Sequence, residues 1–234
     1  MMPRLRAALL AAGAALLATT ALSAVALAAP MHERVRGTIA AINGDTLTVR
    51  TMSGAEMQVA LTGSSRYAEV LKSSLNRVDP GSYIGTATKS IGNELVALEV
   101  VVFPPSMRGV GEGHYAWDRL PDTTLAGQAT TASTMTNGTV STAQPAGGSV
   151  NTTMTNGTVA SAGAAGGAKE ITVTYKGGKQ MIIVPPTAPV VTYAPGSKAE
   201  LKTGANVFVN GVNHDGKVTA LFVAVGADGL RPPM

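Results

Sequence analysis

An all-β protein of two small Greek-key barrels in tandem is what this sequence predicts, on three observations. First, a set of patterns occurs twice. Gly37-Thr38-Ile39-Ala40, Leu47-Thr48-Val49 and Leu75 to Ile84 return as Gly157-Thr158-Val159-Ala160, Ile171-Thr172-Val173 and Leu201 to Phe208. The offset, roughly 120 residues, marks two copies of one folding unit rather than a many-repeat solenoid. Second, apolar and polar residues alternate within each copy, and Asn-Gly or Asp-Gly pairs interrupt them, as in short strands joined by tight turns. Third, there is no Cys to cross-link the chain. A sheet that closes on itself removes its own edges without disulfides or covering helices.

In the first copy, Val35, Ile39 and Ala41 share one face of a strand, with Arg36, Thr38 and Ala40 on the other. Asn43-Gly44-Asp45 turns the chain, because Asn and Gly tolerate positive φ. Thr46 to Thr51 then places Leu47 and Val49 inward, Met52 to Ala55 turns again, and Met57, Val59 and Leu61 repeat the inward set. Val70, Leu71, Leu75 and Val78 are spaced as on a helix, so a short helix is predicted over Ser65 to Val78, stopped by Asp79-Pro80-Gly81. Two strands, Ser82 to Lys89 and Glu94 to Phe103, complete the unit. Three strands, a connection and two strands is the order of an OB-type barrel.

The second copy reads as strands at Thr158–Ala160, Glu170–Tyr175, Gln180–Val184, Asn206–Asn210 and Lys217–Val225. Pro185, Pro186 and Pro189 exclude a helix from its connection, so Val190, Val191 and Tyr193 are expected on an extended segment. Asn213-His214-Asp215-Gly216 makes its last hairpin. Between the copies, Thr134-Met135-Thr136-Asn137-Gly138-Thr139-Val140 recurs as Thr153-Met154-Thr155-Asn156-Gly157-Thr158-Val159. The later occurrence is contiguous with the rest of the pattern and is the expected first strand. The resulting division is barrel one over 34–103, a linker over 104–152, barrel two over 153–226 and a tail over 227–234.

Residues 1–28 read as a secretory signal peptide. Arg4 and Arg6 precede an apolar run, and Ala26-Leu27-Ala28 is a small-x-small cleavage site. The run is also long enough to be an uncleaved anchor. No later apolar stretch reaches the ~18 residues of a membrane span. The periplasm is therefore the expected compartment, with secretion or anchoring through the signal as alternatives. Cleavage removes two arginines and leaves 16 basic residues against 14 acidic ones, a net charge of +2. Such a small excess gives little attraction for polyanions, and aromatic residues at 4% of the chain offer few stacking platforms. No nucleic-acid partner is expected.

The chain resembles a family of exported bacterial proteins of unknown function whose modules are small OB-like barrels. The resemblance spans nearly all of the mature chain. It is carried by Gly-Thr-Ile with Leu-Thr-Val, Met107 to His114, the Met-Thr-Asn-Gly-Thr-Val element, Tyr175 to Gly178, Ile183 to Pro186 and Gly226 to Met234. It implies a fold and a compartment but no reaction. Relatives sometimes carry the label of metal ABC transporter permease, which fits badly with a chain that has only one signal-like apolar segment.

Arg108, Glu112, His114, Tyr115, Trp117 and Asp118 form the densest group of chemically capable residues, on the connection between the copies. They read either as a ligand site in a cleft between modules or as a seam in which Trp117 and Tyr115 plug the barrels together. The motifs of nucleophilic, metalloprotease and phosphate-loop enzymes are absent from the sequence. His32, His114 and His214 are far apart, and Met57 and Met181 fall at expected core positions, so no metal site or cofactor is predicted. The expectation is a non-enzymatic binding or scaffolding protein of the cell envelope, its partner an envelope protein or a small ligand. Two alternatives remain: a periplasmic copper- or zinc-handling protein using Met31, His32 or His114, and an envelope saccharide binder using Trp117.

Overall fold

A computed structural model describes residues 31–124, 129–146 and 167–233. The signal-like segment and the later Met-Thr-Asn-Gly-Thr-Val copy, with the strand expected at Thr158–Ala160, lie outside the described residues. Among the described residues are fifteen strands, four 3-10 turns and no α-helix. From the first half come β1 (Met31–Asn43), β2 (Thr46–Thr51), β3 (Glu56–Ala60), β4 (Arg66–Lys72), β5 (Tyr83–Ile91) and β6 (Glu94–Val102). The connection holds β7 (Gly113–Ala116), β8 (Leu120–Pro121) and β9 (Thr130–Thr131). The second half supplies β10 (Thr134–Pro145), β11 (Lys169–Tyr175), β12 (Gly178–Val184), β13 (Val190–Pro195), β14 (Asn206–His214) and β15 (Lys217–Gly226).

Thirteen of these strands belong to one hydrogen-bonded sheet, and within it two five-strand circuits close. In circuit A, β1 pairs with β2, β2 with β3, β3 runs parallel to β15, β15 pairs with β14, and β14 returns to β1. In circuit B the same order is made by β10, β11, β12, β6 and β5, with β12 parallel to β6. Each circuit thus takes a three-strand meander from one half and the terminal hairpin from the other. The expected division into 34–103 and 153–226 is corrected: the units are exchanged rather than contiguous. The physical reason is that both copies carry the same inward pattern, so either hairpin complements either meander. The bridging strands decide between them. β4 and β13 lie antiparallel to each other, β4 runs parallel to β15 and β13 parallel to β6, and so each carries its chain across to the opposite meander.

Local geometry follows the duplication closely. Gly37 and Gly138 occupy equivalent sites on β1 and β10, and a Cβ there would stand 2.0 Å from the Arg50 carbonyl oxygen and 2.3 Å from that of Thr174. A bulge follows each, between Ile39 and Ala41 and between Val140 and Thr142. Across the exchange, Ile39 bonds to Gly204 and Ala205, while Val140 bonds to Gly81 and Ser82. The earlier Met-Thr-Asn-Gly-Thr-Val copy therefore fills the place expected of the later one, pairing with both β5 and β11.

Three further expectations change. The helix over Ser65–Val78 is replaced by β4 and a 3-10 turn at Leu75–Arg77. Ala68 and Val70 are buried in alternation, and pairing on both sides of β4 overrides a weak helical spacing. Ala41 does not share a face with Ile39, because the bulge turns Ile42 inward instead. Met57 packs against the core, but Met181 is 58% exposed. The extended segment after the prolines of the second half is β13, as its sequence predicts.

Three hydrophobic clusters result. Circuit A encloses Ile39, Leu47, Val49, Val59, Val209 and Val223, and circuit B encloses Ile84, Val100, Ile171, Val173 and Ile182. Between them, at the seam, lies a third cluster built on Tyr83, Leu98, Phe103, Met135, Tyr193 and Phe208, with Phe222 and Trp117 against it. The aliphatic interiors suit narrow closed sheets, while the rings fill the wider gap between two curved surfaces.

Candidate functional site

The connection from Pro104 to Thr124 crosses the seam as a strap. A 3-10 turn at Pro105–Met107 starts it, and β7 then pairs with the first half of β10 on the side opposite β5. The six residues singled out by the sequence all lie on this strap. It holds each of them against the body rather than gathering them around one opening.

Arg108 donates to the Gly81 carbonyl at 2.7 Å and to Thr139 Oγ1 at 3.1 Å, with its guanidinium 5.8 Å from the Tyr83 ring centroid. Glu112 Oε1 accepts the Lys176 backbone N–H at 2.9 Å. His114 Nδ1 is 2.8 Å from Thr136 Oγ1, and its ring stacks on Tyr175 at 6.2 Å. The Tyr115 hydroxyl donates to the Gly111 carbonyl at 3.1 Å, and its ring meets Trp117 edge-on at 5.8 Å. Burial raises the Tyr115 pKa, with Arg34 opposing, and burial beside Glu112 pushes Tyr83 up to about 12. Gly111 has φ +61°, and a Cβ there would meet Asn137 Nδ2 at 2.7 Å, so the strap closes over Asn137 only with glycine.

Asp118 is the anchor on circuit A. Arg34 reaches it with Nη2 to Oδ1 at 2.7 Å and Nε at 3.1 Å, and Arg36 Nη1 donates to Oδ2. Both arginines alternate with buried Val35 on β1, so they leave the strand on the side away from the circuit interior. Arg34 lies 4.1 Å over the Trp117 ring, and Arg36 lies 5.0 Å over Phe208. Burial works against the charge on Asp118, but the hydrogen bonds from Arg34 and Arg36 outweigh it and hold the carboxyl below its ordinary range. The same bonds raise Arg34. A second tie, the buried pair Lys89 Nζ–Asp122 Oδ2 at 2.6 Å, fastens the far end of the strap to β5. There too burial opposes the charge, while Lys89 and Thr124 lower the Asp122 pKa.

The sequence identified the strap side of these ties and missed the body side. Arg34 and Arg36 left one signal, two like charges two apart on a strand whose intervening residue is apolar. Asn137, Lys89 and Asp122 left none, because a polar residue within a strand pattern is ordinarily solvated. Three buried donor atoms at the seam, Arg36 Nε, Arg36 Nη2 and Trp117 Nε1, have no hydrogen-bond partner among the described residues.

The described residues contain no cluster of three or more His, Asp or Glu side chains placed to hold a metal ion. His32 and exposed Met31 lie at the start of β1, where they pair with Val212 and Asn213 on β14, away from the strap. Comparison with family models, with curated proteins and with solved structures finds no match to this chain.

Proposed function

We propose that this chain is an exported, non-enzymatic binding or scaffolding protein of the bacterial cell envelope. Its body is a pair of OB-like barrels with exchanged hairpins, and residues 1–28 act as a signal peptide cleaved on entry to the periplasm. The OB reading is supported by the circuit order, in which the first strand meets the second and fourth and the third runs parallel to the fifth.

One observation carries the functional reading. The ionisable residues that the sequence offered for chemistry are engaged in intramolecular ties. Asp118 holds two arginines, Glu112 a backbone amide, and His114 a threonine hydroxyl. These ties fasten the strap to both circuits and stiffen a surface for recognition.

Native mass spectrometry of the protein from the exported fraction tests this reading. A mass lacking residues 1–28, with a partner or small molecule that dissociates on denaturation, is the expected result. A bare chain in every preparation argues against a binding role. A turnover that falls on Glu112→Gln or His114→Ala substitution argues for an enzyme instead. A sugar-binding role for Trp117 has weaker support, since Arg34 covers its ring.

A further inference from the structure

A cavity of about 270 Å³ opens on the outer face of circuit A, beside the seam. It is walled by β1, β2, the start of β14 and the tail after β15. Its lining includes Arg36, Arg50 and Arg231 and no carboxylate. The tail is held in place to do this. Asn206 Nδ2 donates to the Gly229 carbonyl at 2.8 Å, Leu230 packs against the seam cluster, and Pro232 and Pro233 are buried.

The charge around this cavity is poorly compensated. Arg50 meets Glu56 at 3.0 Å in a pair whose side chains are 62% and 51% exposed, so solvent screens it. Arg36 shares the Asp118 carboxylate with Arg34. Arg231 forms no ion pair among the described residues. The neutral hydroxyls of the wall are already donating, Thr38 to Asn206 Oδ1 at 3.3 Å and Thr51 to the Ala55 carbonyl at 3.0 Å. What the cavity offers is therefore guanidinium donors, whose planar forks match oxyanions.

We propose that this cavity binds a phosphate group, free or at the end of a small monoester or a lipid headgroup, with Arg36, Arg50 and Arg231 supplying the charge. The anion supplies counter-charge where three guanidinium groups line one cavity without a carboxylate in the lining. Met52 and Pro232, also in the lining, give an apolar wall for the carbon side of a monoester. The proposal adds a ligand class to the binding role and rests on it. The two fail separately, because a protein that ignores phosphate can still retain another partner in native mass spectrometry.

The full exported chain is titrated with inorganic phosphate, with glycerol 3-phosphate, and with vesicles of phosphatidylglycerol in phosphatidylcholine. Sodium chloride at matched ionic strength and pure phosphatidylcholine vesicles are the controls. Calorimetry and thermal shift give the readout. Saturable binding in at least one arm is expected, and the tightest arm identifies the source of the phosphate. Arg231→Gln and Arg50→Gln, both at exposed residues, should each weaken it roughly tenfold or more, the weight of one charge-assisted contact. Neither should lower the melting temperature measured without anion. Binding that the chloride control reproduces, or that both variants retain in full, overturns the proposal. So does the absence of saturable binding in all three arms.

Discussion

The interiors of the two circuits and the seam between them are built from different chemistry. The interiors are Val, Ile, Leu and Ala, alternating along short strands except where bulges shift the register. The seam takes all three Phe residues, the one Trp, two buried Tyr and the arginine and carboxylate ties of the strap. A closed five-strand sheet has room for branched aliphatics and little else, and any side chain of that class serves. A seam between two convex surfaces is irregular. There, beside aliphatics such as Val70, Leu98 and Met135, large rings and directional charge-assisted bonds fill and orient it. The circuits thus supply cohesion, and the seam specifies how the halves sit together.

Dividing the chain should have the largest effect. If each circuit needs strands from both halves, residues 1–126 and 127–234 expressed separately remain unfolded, and co-expressed they form one complex. Size-exclusion chromatography with far-UV circular dichroism decides it. Two independently folded pieces would mean that the hairpins are not exchanged. The same coupling predicts that Trp117 fluorescence and far-UV signal unfold together in urea.

Next in size is closure of a single circuit. Gly138→Val drives a side chain into the Thr174 carbonyl, and Gly37→Val does the same at Arg50. Each should cost more than about 4 kcal/mol, through strain that neither backbone can relieve. Urea denaturation measures it, and a loss below 1 kcal/mol would show that the strands move apart freely.

The strap comes third. Asp118→Asn leaves Arg34 and Arg36 half-satisfied at a site about a quarter exposed, so the expected loss is about 1–3 kcal/mol at pH 7. Asp118 is held below its ordinary range, so its contribution is full above the unfolded-state value and is lost as pH falls through the folded one. Urea midpoints of wild type and variant should therefore differ at pH 7 and converge below about pH 4. Divergence on acidification would reverse the assignment. The smallest effect is expected at Arg50→Ala, whose ion pair with Glu56 is mostly exposed. It should change stability by no more than about 0.5 kcal/mol, less in high salt.

Much of the fold was legible residue by residue. Leu47, Val49 and Val59 are buried where alternation places them, and the turns at Asn43-Gly44 and Asp215-Gly216 occur where positive φ is called for. Of the site, the strap half was legible because Trp, His and Glu within one short connection stand out against a Thr- and Gly-rich background. The receiving half was hidden. Arg34 lies 84 positions from Asp118, and nothing local distinguishes an arginine that finds a carboxylate from one that stays in water.

The alternating pattern, the turn residues and the duplication determined an all-β chain with two copies of one strand order, because period and positive φ are properties of neighbouring residues. Which hairpin closes which circuit was decided only in three dimensions. Two copies with the same inward pattern make the contiguous and the exchanged pairings equally good locally. The long-range pairing of β4 with β13, and the seam that forms over it, separates them.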